Sequence, residues 1–407
     1  MTPREILGLV RLRVPERDRT RRVLARAHDI GALRGAARQR LPRAVFDYVE
    51  GGADEEITLA ENRAAFTRWR FTPQVLADVS YPGLQTRVLG TGLPAPVGLA
   101  PTGYTRMIHP DGEIAVARAA RTRQVPYVLS TVGTTSIEDL AATGHTQRWF
   151  QLYVLRDRDL TWRMVDRAAE AGYQVLEVSV DTAVAGHRVR DVRNGLTIPP
   201  QLSASTVLDI AAHPGYWRAM ITSPALRFAN LAAGGSGSTI ADITAVFDPS
   251  VSWADLAAIR ARWPGALLVK GPVGAEDARR AVDIGADGIH LSNHGGRQLD
   301  RCLPTVELVR PVREALGDRP AIIVDSGVRH GSDAAVALAL GADLVMVGRP
   351  YLYGLAAAGQ AGVERVIDIL ITQLRRTMQL LGVSTVAELR ERGSRLMTDA
   401  TDPPRRQ

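Results

Sequence analysis

Eight short, β-rich apolar runs recur along the chain, at residues 96–102, 126–131, 149–154, 175–182, 266–271, 288–294, 321–327 and 344–349. They are apolar almost without interruption, as strands covered on both faces must be. Most are separated by Ala- and Arg-rich segments of helical period, such as "DGEIAVARAARTRQ" and "AEDARRAVDIGA". A helical segment that closes near a Gly and is followed by a strand is a βα unit. Eight such units predict an α/β chain folded as a (β/α)8 (TIM) barrel. A doubly wound sheet is the competing architecture, and eight consecutive units suit it less well. A barrel occupies about 250 residues, and this chain has 407. Residues 1–90 are therefore expected to form an N-terminal helical extension covering one end of the barrel. Residues 91–390 are read as the barrel, with a long insertion at about 183–265 after strand four. A strong helix, "VERVIDILITQLRRTMQLLGV", precedes a frayed tail at 391–407.

Composition narrows the functional classes. The single cysteine, Cys302, excludes an internal disulfide framework and suits a reducing compartment. No apolar run approaches the roughly 18 residues of a membrane span. The charged opening stretch does not read as a secretory signal, so a cytoplasmic location is expected. The formal net charge is +7, but outside "RDRTRR" and "PPRRQ" the basic residues are dispersed. No nucleic-acid partner is expected from that distribution.

Barrel enzymes carry their chemistry at the C-terminal ends of the strands. Here those ends deliver Thr102, Ser130, Gln151 with Tyr153, Ser179 with Asp181, Lys270, Ser292 with His294, Asp325, and Gly348 with Arg349. Lys270 is the only lysine among 50 Lys and Arg residues. A compact charge on a flexible stem is something a planar guanidinium cannot copy. The turns after strands seven and eight, "DSGVRHGSD" and "VGRP", combine close-approach glycines with Arg329 and Arg349, which suits a phosphate. Asp325 suits a neighbouring hydroxyl, as on a ribityl chain. In "SNHGGRQLD", His294 can act as a base near neutral pH, Arg297 can clamp a carboxylate, and Asp181 can support the imidazole. The plainer alternative has His294 capping a turn and Arg297 pairing with Asp300. His290 and His294 lie four apart, but on a strand and turn rather than a helix, so no metal site is expected.

"LPRAVFDYVEGGA", "APTGYTRMIHPDGE", "WFQLY", "VDTAVAGHRVRDVRNG", "LVKG", "SNHGGRQLD", "DSGVRHGSD" and "GRPYLYGLAAAGQAGV" together resemble the FMN-dependent α-hydroxy-acid dehydrogenases and oxidases over roughly residues 29–390. The resemblance implies an FMN cofactor and oxidation of an L-2-hydroxy acid. It makes His294 the base and Asp181 its support. It assigns Arg297, Arg188 and Tyr48 to the substrate carboxylate, and Tyr153 to the hydroxyl and carboxylate region. Flavin contacts are implied for Thr102, Gly103, Ser130, Gln151, Ser179, Lys270 and Ser292. The phosphate and ribityl end is implied at Asp325, Ser326, Gly327, Arg329, Gly348 and Arg349. Gly103 and Val132 are small where glycolate oxidases carry Ala and a bulky aromatic residue, which implies a wider pocket. Ser326 and the insertion look most like bacterial respiratory L-lactate dehydrogenases. That likeness implies L-lactate as substrate and a quinone, a cytochrome or O2 as electron acceptor. It also implies a homo-tetramer, and a peripheral contact of the 200–240 insertion with the inner face of the cell membrane. Trp217, Met220, Ile221, Leu226 and Phe228 are the apolar residues available for that contact. An oxidase using O2 on a larger or aromatic acid is the alternative. A non-catalytic FMN-binding protein would have no use for His294, Arg188 and Arg297 together.

Overall fold

The computed structural model describes residues 16–195, 208–209, 211–231 and 247–400. Eight parallel strands close into a barrel in the order β7–β8–β1–β2–β3–β4–β5–β6. They are β1 (Val97–Leu99), β2 (Tyr127–Ser130), β3 (Arg148–Leu152), β4 (Val175–Ser179), β5 (Ala266–Gly271), β6 (Gly288–Leu291), β7 (Ala321–Val324) and β8 (Leu344–Val347). All eight predicted strands are present, and the fold is a (β/α)8 barrel.

Alternation explains the unbroken apolar runs. Leu99, Leu129, Phe150, Leu176, Val269, Ile289, Ile322 and Val345 belong to the large core shared with the helices. Val128, Trp149, Val175, Leu268, Ile323, Leu344 and Met346 form a second cluster inside the barrel. That inner cluster includes Val88 and Leu93 from a hairpin of Thr86–Val88 with Thr91–Leu93. Its two-residue turn, Leu89–Gly90, has positive φ at both positions (48° and 79°), as a tight hairpin turn requires. The hairpin thus plugs the N-terminal end of the barrel.

Helices α1 (Arg19–Arg26), α2 (Ile30–Arg40), α3 (Arg43–Glu50) and α4 (Ile57–Thr67) precede the barrel. Asp29 caps α2 by accepting from the Ala32 amide at 2.7 Å. α4 docks at the opposite end from the hairpin. Asn62 and Asn293 exchange two hydrogen bonds of 2.8 Å, and Asp300 accepts from the Thr58 amide at 2.8 Å. The extension therefore reaches both ends of the barrel rather than one.

Two expected boundaries shift. Trp253–Arg262 is the ordinary helix between β4 and β5, so the insertion ends before it. The 391–407 segment is not frayed throughout, because Met397–Asp399 pairs antiparallel with Trp69–Phe71. Leu396 and Met397 are buried there, which anchors a stretch whose polar neighbours suggest a free end. Residues 401–407, and 196–207, 210 and 232–246 of the insertion, lie outside the described residues.

Candidate active site

Along the inward-facing rows the chemistry changes from apolar to polar toward the C-terminal rim. β4 runs Val175, Glu177, Ser179, then Asp181; β5 runs Leu268, Lys270; β7 runs Ile323, Asp325. These rows end at one pocket. Its wall includes Tyr48, Thr102, Gly103, Ser130, Gln151, Tyr153, Arg188, Lys270, His294 and Arg297. Asp325, Ser326, Gly327, Arg329, Gly348 and Arg349 complete it. Ser179, Asp181 and Ser292 stand behind the wall, each bonded to a residue that forms it.

His294 leaves β6 in a left-handed conformation (φ 56°), followed by Gly295 and Gly296 at φ 65° and 75°. This tight turn throws the imidazole back over the pocket. Nδ1 lies 2.5 Å from Asp181 Oδ2, and Nε2 lies 3.0 Å from the Tyr153 hydroxyl. Burial would raise the Asp181 carboxyl, but His294 and Lys270 hold it below its ordinary value. An ionised carboxylate can only accept, so Nδ1 donates to it, and Nε2 is the ring nitrogen turned toward Tyr153 and the pocket.

Arg297 and Arg188 flank the Tyr48 ring, with guanidinium carbons 4.9 and 5.8 Å from its centroid. Arg297 also donates to the carbonyls of Tyr48 (2.5 Å) and Gly51 (3.0 Å). The pairing of Arg297 with Asp300 does not occur, because Asp300 accepts from backbone amides at the start of α4. Burial, then Arg188, pulls Arg297 below the usual guanidinium range. Arg188 is 3.3 Å from Asp191.

At the other end Arg349 is half-buried and, among the described residues, donates only to the carbonyls of Val49, Gly295 and Gly51. Burial, then Arg297, pulls it below its usual range too. Two half-buried guanidinium groups without a carboxylate partner among the described residues are suited to hold an anion between them. Ser326 and Gly327 next to them have φ of 72° and 90°, and a Cβ at Gly327 would meet the Asn62 carbonyl oxygen at 2.0 Å. Among the described residues the buried Lys270 ammonium has one hydrogen-bond partner, Ser292 Oγ at 3.0 Å, and so keeps donors for a ligand. Ser130 and Gln151 are linked at 2.9 Å. A phosphate-bearing, flat, polar-edged group such as FMN fits this set of donors.

Some of the wall was not anticipated from sequence. Tyr104, Phe228 and Phe247 form an apolar side, with Tyr104 and Phe228 centroids 5.0 Å apart and Tyr153 and Phe247 also 5.0 Å apart. Phe228, expected from its place in the insertion to be available for a bilayer, is not, because it is 1% exposed and packs into the pocket. Trp217, Met220 and Leu226 are half-buried against the core, whereas Ile221 is 80% exposed. Tyr351 is fully buried behind the wall, its hydroxyl 2.5 Å from Thr102 Oγ1. A Cβ on Gly103 would lie 2.4 Å from Val132 Cγ2, so these two residues set the local width together.

Residues 37–395 match the family described as FMN-dependent dehydrogenase. The chain is 47% identical over 390 residues to a putative L-lactate dehydrogenase of Mycobacterium tuberculosis, covering 96% of this chain and 94% of that one. It is 42% identical over 354 residues to (S)-mandelate dehydrogenase of Pseudomonas putida, covering 86% and 89%. A crystal structure of the monotopic membrane protein (S)-mandelate dehydrogenase superposes with a TM-score of 0.87 at 39% identity, covering 91% of this chain and 99% of that one.

Proposed function

Because the chain belongs to the FMN-dependent dehydrogenase family, and is thus an oxidoreductase acting on the CH–OH group of 2-hydroxy acids, we propose that its substrate is L-lactate. The product is pyruvate, and the electrons pass to a quinone or another acceptor such as a cytochrome. The observation that carries this reading is the imidazole of His294, fixed between Asp181 and Tyr153 beside two arginines that face the same pocket. Lactate is favoured by the names of several relatives, among them L-lactate dehydrogenases of Caulobacter vibrioides and Vibrio cholerae.

The geometry and the family resemblance support the following roles. Arg297 and Arg188, with Tyr48, hold the substrate carboxylate; two fork-shaped donors fix its orientation. Tyr153 and His294 meet the 2-hydroxyl region. His294 Nε2 takes a proton, and Asp181 stabilises the imidazolium that results. FMN, when bound, supplies the two-electron acceptor. Thr102, Gly103, Ser130, Gln151 and Lys270 hold its ring, with Ser179 and Ser292 supporting them. Asp325, Ser326, Gly327, Arg329, Gly348 and Arg349 hold the ribityl phosphate. Lys270 is suited to balance negative charge that develops at the ring edge on reduction.

A second reading is a soluble, O2-using oxidase of a larger or aromatic acid. The small residues Gly103 and Val132 and the aromatic wall of Tyr104, Phe228 and Phe247 favour the larger acid. Location in the cytoplasm, peripheral on the inner face of the membrane, and assembly as a homo-tetramer complete the proposal. Turnover of L-lactate with parallel assays of quinone or dye reduction and of peroxide separates the readings. Acceptor-dependent turnover with little peroxide is expected, and one peroxide per lactate would replace the dehydrogenase by the oxidase.

A further inference from the structure

One layer below the polar rim, the barrel interior holds two charged groups that the reaction does not use. Glu177 is two residues before Ser179, and His290 is two residues before Ser292. Each therefore faces the same way as that serine, one step deeper. Gln151 and Leu268 flank Glu177 in register, and Lys270 and Ile323 flank His290. The inward residues one step below the rim on other strands, Val128, Leu268, Ile323 and Met346, are apolar. Yet Glu177 and His290 are both fully buried. His290 Nδ1 lies 3.0 Å from Glu177 Oε1, and Nε2 lies 3.3 Å from Asp325 Oδ2. An apolar pair of similar volume would be as stable or more so. Packing alone thus does not account for the ion pair, and its far end is Asp325, which faces the pocket.

We propose that His290, held by Glu177, is a positioning residue that carries a proton beneath the cofactor, keeps Asp325 ionised and aimed at the ribityl chain, and so sets the affinity and reduction potential of bound FMN. The proposal rests on the role assigned above to Asp325 and is independent of which hydroxy acid is oxidised. Burial by itself would strip the proton from His290, but Glu177 from β4 and Asp325 after β7 hold its pKa up to about 9. Burial would likewise protonate Asp325, but Lys270 from β5 and then His290 hold it well below the carboxylate range. The cation lies on the cofactor side of the pair and the anion away from it. Removing the pair therefore withdraws positive charge from beneath a group that gains negative charge on reduction.

The test uses the flavin-loaded protein without substrate. FMN affinity is read by fluorescence quenching and the midpoint potential by spectroelectrochemistry, in wild type and in the double variant Glu177→Leu with His290→Leu. The double variant is expected to bind oxidised FMN at least tenfold more weakly. Reduced FMN weakens tenfold further, a shift of about 30 mV to more negative potential for a two-electron couple. In wild type, affinity should fall as pH rises through about 9, and this fall should vanish in the variant. Should the double variant not fold, His290→Gln, which keeps volume and a donor but no charge, must shift the potential in the same direction. Unchanged affinity and potential in the variant that folds, with wild-type affinity flat from about pH 7 to 10, overturn the proposal. A shifted potential in a protein that L-lactate fails to reduce would leave this proposal standing and remove only the substrate assignment.

Discussion

At the scale of single residues, the decisive feature is that His294 has both ring nitrogens engaged, one by a carboxylate and one by a phenol. General-base catalysis is worth about 10²–10⁴-fold. His294→Gln should therefore keep FMN bound and slow flavin reduction by L-lactate by about that factor, as followed by anaerobic stopped-flow absorbance. Arg297→Lys keeps the charge but loses the planar fork, so an increase in KM with a smaller fall in kcat is expected in steady-state assays. His290 adds a pH signature. Its folded pKa of about 9 lies above the unfolded value of about 6.5. The stability it contributes is full below the unfolded value and is lost as pH rises through the folded one. Urea midpoints of wild type should accordingly decline from about pH 6.5 to 9, whereas Glu177→Leu with His290→Leu should decline less.

At the scale of elements, the turn after β6 that carries His294 is held from outside the barrel. α4 supplies Asn62, which is buried and doubly bonded to Asn293, the residue before His294. Asn62→Ala leaves the Asn293 amide short of partners and should cost about 1–3 kcal/mol, seen in thermal unfolding. The insertion contributes a wall rather than a surface through Phe228. Phe228→Ala should cost about 3–5 kcal/mol, while Ile221→Ala, exposed on the preceding helix, should stay within about 0.5 kcal/mol. The strands were readable because their outward and inward residues are both apolar, and the rim because polar residues fall just past each run. Phe228 and Phe247 were not readable as site residues. Their approach to the pocket depends on packing across long sequence separations, which no local period records. The pairing of Trp69–Phe71 with Met397–Asp399 was hidden for the same reason. The pairing of Glu177 with His290 is not legible in strands that alternation already explains, since the charge of one has meaning only beside the other.

At the scale of the molecule, the barrel divides its interior by height. A hydrophobic plug closes the bottom, a buried ion pair occupies the middle, and a cationic pocket opens at the top. No helix among the described residues is long and apolar enough to cross a membrane. Ile221 is the exposed apolar residue of the 214–221 helix, so Ile221→Asp should reduce co-sedimentation with anionic vesicles if the insertion meets a bilayer. The central claim is that this pocket moves two electrons from an L-2-hydroxy acid to bound FMN. Anaerobic mixing of the flavin-loaded protein with L-lactate, followed at the flavin absorbance, tests it most directly. The flavin should bleach completely with one equivalent of pyruvate formed per flavin. A spectrum that stays oxidised with L-lactate and with every other 2-hydroxy acid offered, aromatic ones included, would contradict the account.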